Sequence, residues 1–397
     1  MNVIIHNRIE ILEKVLPKWE LLKKKFHDIT VFQDIEWIKS WWEYKKKERK
    51  IIPYIVEVKK ENKTIGIIPL YLYNKEFAGF FFRVLKPIGI YESDYLIPII
   101  SKDYSPTDIL KKAMEKIYED KANWDCLDWG DIPEGSIFDS AFNNELLGRP
   151  KLVKRKRTNV CPQLLLDKDI EHIKSNINKR FLKEVLYKER RLKREGKLKF
   201  NKVKSETEIE PIMNKFFELH RKRWRNTSTP SQFENIKERE YLMQAAKNLF
   251  KSNLLYLAYL SHDDEIAVAH FGMSDGKRNY LYLHAFNMRY RKYSMGNVFA
   301  YNLILDSYKE NYEVVDFLRG DEGYKEKWGS IDKFNVKYLF FSRSLKSLLF
   351  KLINNTYYSK QFSQKSKIKQ VFLKLVVRGC TFLIGINDNI RQRAKSI

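Results

Sequence analysis

The chain has 397 residues and a formal net charge of +25 at pH 7, with 75 Lys and Arg against 50 Asp and Glu. The length exceeds one ordinary core, so two domains are expected, and an apolar fraction of 44% is ample to build them. The charge points to an anionic partner, namely nucleic acid, an anionic lipid surface or a phosphorylated substrate; a lysine-rich proteome would produce the same excess without one. No run of about eighteen apolar residues occurs, which excludes a membrane span. The N-terminus lacks a basic segment followed by an apolar one, so no secretory signal is expected. Cys126, Cys161 and Cys380 are odd in number and scattered. They fit a reducing cytoplasm without structural disulfides or a zinc site, and the sequons at Asn62, Asn226 and Asn354 are then chance matches.

Residues 1–150 read as a first α/β domain. Ile11–Phe26 and Phe32–Tyr44 are predicted helices, with Trp19, Trp37, Trp41 and Trp42 as core or interface aromatics. Ile51–Val58 and Thr64–Tyr71 form a predicted hairpin turning at Glu61-Asn62-Lys63. Strands over Phe80–Leu85 and Tyr95–Ile100, a helix capped by Ser105 or Thr107 and reaching Glu119, and a strand over Asp125–Trp129 follow.

Residues 151–204 connect the halves and carry the densest positive charge. Lys151, Lys154, Arg155, Lys156 and Arg157 precede a strand over Cys161–Leu166. Ile177, Phe181, Val185 and Leu192 then make an apolar stripe on a basic helix closed by Gly196. That stripe is expected to pack across the two domains with its basic face in water; a membrane or RNA contact is the alternative.

A second domain, 205–343, is expected to hold helices over Ile209–Trp224 and Phe233–Phe250, after a strand over Leu198–Val203. A hairpin of Leu254–Leu260 and Glu265–Met273 comes next. Tyr280, Tyr282, His284 and Phe286 then alternate with Leu281, Leu283 and Ala285, the period of a strand. A basic loop, Met288–Met295, leads to helical spacing at Val298, Tyr301, Leu305 and Tyr308, and then to a strand over Val314–Leu318. Strand, loop, helix and parallel strand form a crossover unit. Its loop is where free helix N-terminal amides and the helix dipole favour anions. Arg291, Ser294 and Gly296 supply the spacing Arg-x-x-Ser-x-Gly; an ordinary turn with a solvated basic surface is the competing reading. Asn335–Phe341 is expected to close the sheet. Residues 344–397 form a basic tail, with Leu345, Leu348, Leu349 and Leu352 on one helix and Val371–Ile386 apolar but interrupted by Lys374, Arg378 and Gly379.

Here the chain resembles the GNAT acyltransferases, and more narrowly their CelD-like branch, which is related to the FemAB aminoacyl-ligases. The carrying residues are His220, Arg223 and Trp224 in FFELHRKRW, Ala269-His270-Phe271-Gly272, Tyr293-Ser294-Met295-Gly296, and Asp316 to Glu322 with Tyr324, Lys325 and Trp328. Ser294 stands where a typical loop of the family has its first glycine. The resemblance implies an α/β (α+β) architecture of tandem GNAT-like domains, with mixed central sheets flanked by helices and the first domain a degenerate copy. It implies acyl-CoA as co-substrate, no metal, and an amine acceptor on an amino sugar or amino acid of polysaccharide assembly. The tail lies outside the resemblance and three readings of it stay open: contact with the inner membrane face, packing on the core, or oligomerisation.

Acyl transfer from a thioester to an amine requires a polarised carbonyl, a deprotonated amine and in-line positioning. The implied coenzyme-binding set is Arg289, Arg291, Tyr293, Ser294, Gly296 and Asn297. His270 or Asp321 is the candidate base. His220, Arg223, Trp224, Asp316, Arg319, Glu322, Tyr324 and Lys325 are the candidate acceptor residues, while Asp321 and Glu322 would serve equally to cap a short helix. Asp94 in Ser93-Asp94-Tyr95 is a turn residue or a functional carboxylate. Two further readings stay open: a FemAB-like ligase using aminoacyl-tRNA on a peptidoglycan precursor, favoured by the basic connecting helix, and a non-catalytic scaffold at the membrane surface.

Overall fold

In the computed structural model the described residues are 1–8, 18, 25–48, 51–77, 79–149, 152–166 and 169–358. The predicted helix at Ile11–Phe26 and the stretch Val371–Ile386 fall outside them, almost entirely in the first case.

The first half contains β1 (Asn2–His6), α1 (Ile35–Glu48), β2 (Ile52–Lys60), β3 (Lys63–Phe77), β4 (Phe80–Pro87), β5 (Ile99–Ile100), α2 (Pro106–Glu119), β6 (Cys126–Pro133) and α3 (Ile137–Gly148). The hairpin turns where expected because Glu61 and Asn62 are both left-handed, with φ of 49° and 65°, the geometry that matches strand twist. Ser105 caps α2 by accepting from the Asp108 amide at 3.3 Å. Two expectations fail. Of Tyr95–Ile100 only Ile99–Ile100 is strand, because the stretch before it is loop in which Tyr95 and Leu96 bury their side chains. Helix α3, missing from the sequence reading, buries Phe138, Ala141 and Phe142.

Strand β7 (Val153–Leu165) leads to α4 (Ile170–Asn176) and the basic α5 (Lys179–Glu195). The predicted stripe therefore spans two helices: Ile177 is the C-cap of α4, and Asn178 starts α5 by accepting from the Phe181 amide at 3.0 Å. The stripe does not bridge the halves. Phe181, Val185 and Leu192 join the core of the second half, where Phe181 meets Trp328 edge to face at 4.9 Å.

The second half follows with β8 (Leu198–Lys202), α6 (Glu206–Trp224), α7 (Ile236–Lys251), β9 (Leu255–His262), β10 (Glu265–Ser274), β11 (Arg278–Phe286), α8 (Met295–Lys309), β12 (Val314–Asp316), β13 (Ile331–Phe341) and α9 (Leu345–Tyr358). The strands build one mixed sheet in the order β1-β2-β3-β4-β6-β13-β7-β12-β11-β10-β9-β8, with β5 beside β3. Strand β13 does not close the second half on itself. It inserts between β6 of the first half and β7, pairing with both over long registers, while β7 pairs with β12 on its other edge. The last strand thus joins two sheets into one.

Candidate active site

Strands β11 and β12 run parallel only from Arg278–Val314 to Tyr280–Asp316. Beyond Tyr280 the edge of β11 has no strand partner on that side, and a cavity of 540 Å³ opens, bounded by Leu281, His284 and Phe286. A bulge re-aims this edge: Leu283 pairs with Phe271 and Tyr280 with Met273, so three steps on β11 match two on β10. Tyr280, Tyr282 and Leu283 consequently lie with the core against α6 and α7, whereas Leu281 joins the opposite core against α8. His284 lies 6.3 Å from His270 and 4.9 Å from Phe286, ring to ring. The expected strict alternation places all four aromatic residues on one face; the bulge divides them.

The opposite wall is the turn into α8. Ser294 is left-handed (φ 49°, ψ 50°) and occupies the N-cap, yet makes no capping hydrogen bond. Its Oγ instead accepts from Lys188 Nζ of α5 at 2.7 Å. That side chain leaves the first turn of α8 uncapped; the Asn297 amide donates to the Ser294 carbonyl at 2.9 Å, and Arg291, Ser294, Gly296 and Asn297 line the cavity beside the helix start. A Cβ at Gly296 would stand 2.9 Å from the Phe286 ring, so glycine is needed to seat that ring against the helix start. Arg223 and Trp224, at the end of α6, and Tyr324 complete the wall; the Arg223 guanidinium lies 4.7 Å over the Phe286 ring.

The remaining candidate residues lie elsewhere. Arg289 pairs with Glu265 at 3.0 Å, and the Tyr293 hydroxyl bonds Glu195, both on the side away from the cavity. His220 is half-buried behind Trp224 and bonds Ser231 Oγ at 2.7 Å; burial, then Arg223, lowers its pKa to about 4. His270 is fully buried behind His284, and neither ring nitrogen has a hydrogen-bond partner among the described residues. Burial, then His284, holds it well below the ordinary histidine range. Burial, then Arg223, lowers His284 itself to about 4. Asp321 is exposed. Glu322 is also exposed and pairs with Lys325 at 2.8 Å. Neither acid caps the short turn Glu326–Trp328, whose N-cap is Lys325.

Asp316 and the half-buried Arg319 instead clasp the two halves together, backed by the buried Lys325. Asp316 accepts from Tyr95 Oη at 2.7 Å, from Gln163 Nε2 at 2.9 Å and from the Leu318 amide at 2.9 Å. Arg319 donates to Asp94 and to the carbonyls of Ser93 and Tyr91, with Asp131 at 3.8 Å. Lys325 is 4% exposed and donates to the carbonyls of Leu318, Arg319 and Gly320. Asp94 is therefore the partner of Arg319. Lys188, Tyr95, Gln163 and Asp131 escaped the sequence reading because nothing in their local pattern points across the fold. Among the described residues no cluster of His, Cys, Asp or Glu is placed to hold a metal ion.

Residues 179–326 match the model of the Acetyltransferase (GNAT) domain family. The structure of FemX is similar to this chain with a TM-score of 0.60 at 12% identity, covering 89% of this chain and 100% of FemX. A conserved protein of unknown function from Bacteroides thetaiotaomicron gives 0.54 at 9% identity, covering 86% and 100%. The C-terminal domain of a putative lysylphosphatidylglycerol synthetase from Agrobacterium fabrum gives 0.52 at 10%, covering 87% and 97%. At these identities the likeness is one of fold. No curated protein matches the chain.

Proposed function

We propose, because residues 179–326 match the GNAT acetyltransferase domain and the fold is like that of FemX over 89% of the chain, that this protein is a GNAT-type acyltransferase and transfers an acyl group from acyl-CoA to an amine. The observation that carries this reading is the cavity where β11 parts from β12, with the N-terminus of α8 and Arg291 at its wall. The coenzyme phosphates would meet the first-turn amides of α8 and Arg291, and the thioester would lie along the unpaired edge of β11. A backbone N–H there would polarise the carbonyl. The acceptor nitrogen attacks the carbonyl carbon, the C–S bond breaks, the coenzyme leaves as thiolate, and the nitrogen gives up a proton. Of the acceptor residues expected from sequence, Arg223, Trp224 and Tyr324 face this cavity. Burial, then Glu322, pushes the Tyr324 hydroxyl up to about 12, so it stays a proton donor at neutral pH. The proton acceptor is His270, His284 or Asp321; of these only His284 lines the cavity, although burial makes both imidazoles weak bases in the absence of ligand.

An amino sugar or amino acid of polysaccharide assembly is the acceptor we propose. A ligase using aminoacyl-tRNA is the second reading, supported by the likeness to FemX and by the basic α5, whose Lys188 reaches the anion-binding turn.

Thermal unfolding with acetyl-CoA, longer acyl-CoAs and charged tRNA separates the two, because a ligand of the folded state raises the midpoint by mass action. A CoA ester should raise it, and the Arg291→Ala, Gly296→Asp double variant should abolish the shift. A response to charged tRNA alone would move the assignment to the ligase. For the base, His270→Ala, His284→Ala and Asp321→Ala are compared in turnover with folding checked. One of them should lose about 10²–10⁴-fold in kcat, and full activity in all three would remove side-chain base catalysis from the scheme.

A further inference from the structure

Helix α9 follows β13 and buries Leu349, Phe350 and Ile353 against Phe82, Val84, Cys126 and Phe341 of the sheet. A second stripe of the same helix points outward. Leu345, Leu348 and Leu352, spaced by three and four residues, are 54%, 53% and 46% exposed. Leu345 and Leu348 also enter a groove of 510 Å³, together with Leu152, Phe341, Arg343 and Lys351. A row of outward leucines on a helix whose inner face is already buried is an unusual use of surface, and such a row marks an interaction site.

Charge decides what it meets. From Ser342 to Asn387 the chain contains no Asp or Glu. Arg343 and Lys346 are exposed beside the leucines. Lys154 of β7 lies opposite Leu339 in the sheet beneath; burial, then the nearby Lys351, lowers its pKa, a sign that cations already crowd this side. A second copy of the chain would bring positive charge to positive charge. An anionic bilayer offers an apolar boundary for leucines and negative headgroups for the flanking cations, the pairing that holds basic amphipathic helices in the interface plane.

We propose that the Leu345–Leu348–Leu352 face of α9 docks the protein on an anionic lipid surface. The docking is independent of the acyl-transfer reading. It sets the molecule beside the bilayer with the leucines at the acyl boundary and Arg343 and Lys346 among the headgroups.

The test is co-sedimentation of the full-length protein with vesicles of phosphatidylcholine alone and of phosphatidylcholine with one-third phosphatidylglycerol. Binding to the anionic vesicles only, falling as salt rises, is expected. The Leu345→Asp, Leu348→Asp variant should bind at least about tenfold more weakly, since buried apolar area and headgroup attraction both set the affinity. Both positions are exposed, so its unfolding midpoint should equal that of the parent. Arg343→Glu, Lys346→Glu should weaken binding to anionic vesicles while leaving the fold intact. Undiminished binding by the leucine variant would place the contact elsewhere in the chain and overturn the proposal. Equal binding to neutral vesicles would also overturn it, as would a dimer in light scattering that the leucine variant dissolves.

Discussion

Asp316 is fully buried, and burial raises its carboxyl to about 6 from an ordinary value of 3.8, even though Tyr95 and the Leu318 amide donate to it. The native state therefore holds this proton more tightly than the unfolded chain does. Its contribution to stability is complete below about pH 4 and is lost as pH rises to about 6, beyond which the penalty is constant. Asp131, also raised to about 6 by burial, acts in the same direction. His220 and His284 act in the opposite one: lowered to about 4, they favour the native state more as pH rises from 4 through 6.5. These contributions oppose one another across the same range, and a single substitution exposes one of them. Asp316→Asn keeps an acceptor for Tyr95 and loses the titration. Its stability relative to wild type should climb between about pH 4 and 6 by at most about 3 kcal/mol, read as denaturant midpoints across pH. A difference flat with pH would remove Asp316 from the account. His270 is the complementary case. Neither ring nitrogen makes a well-formed hydrogen bond and only the Leu283 backbone acts on the ring weakly, so its imidazole costs desolvation with little in return. A purely structural His270 should therefore tolerate Met with little loss of stability, whereas a proton-handling one should lose turnover at unchanged midpoint.

At the scale of elements, the candidate site arises where the bulged β11, the N-terminus of α8 and the end of α6 meet, with Lys188 of the basic α5 reaching Ser294. Gly296 and the left-handed Ser294 were legible as a turn of special backbone because glycine and short polar residues tolerate such conformations. Lys188 was not, since only the packing of α5 against α8 brings it to Ser294. If the coenzyme phosphate sits at this turn as proposed, Lys188 adds a partly exposed ion pair worth up to about 1 kcal/mol. Lys188→Gln should therefore weaken binding of a CoA ester by about two- to fivefold in a titration, and the deficit should shrink as salt screens the charge. A salt-independent deficit would indicate a change in the turn itself.

For the whole molecule, the decisive feature is the placement of β13 between β6 and β7. The halves are further tied by Arg319 on Asp94, by the Tyr282 hydroxyl on the Glu92 carbonyl at 2.7 Å, and by Asn335 Nδ2 on the Asp94 carbonyl at 2.7 Å. We therefore regard 1–150 and 205–343 as proposed halves of one cooperative unit, and 151–204 as the segment that supplies β7 and α5. The chain should unfold in a single calorimetric transition. A fragment ending at residue 152 should aggregate, because β6 would present an unpaired apolar edge. Two resolved transitions, or a soluble folded fragment, would contradict this. Among the described residues no helix is long and apolar enough to cross a membrane.

Local pattern by itself determined most of the elements, the strand–turn–helix proposed as the anion-binding turn, and the aromatic and charged motifs from which acyl transfer is proposed. Periodicity, capping residues and turn residues act over a few positions, and those signals survive in one dimension. The bulge in β11, the insertion of β13 between β6 and β7, the burial of Asp316 and Lys325 and the pairing of Arg319 with Asp94 were decided only in three dimensions. Each depends on residues far apart in sequence: Asp94 meets Arg319, Tyr95 meets Asp316, and Lys188 meets Ser294. A charged motif reads alike whether it faces a substrate or a buried partner. The difference lies in what desolvates it, and that is a property of packing.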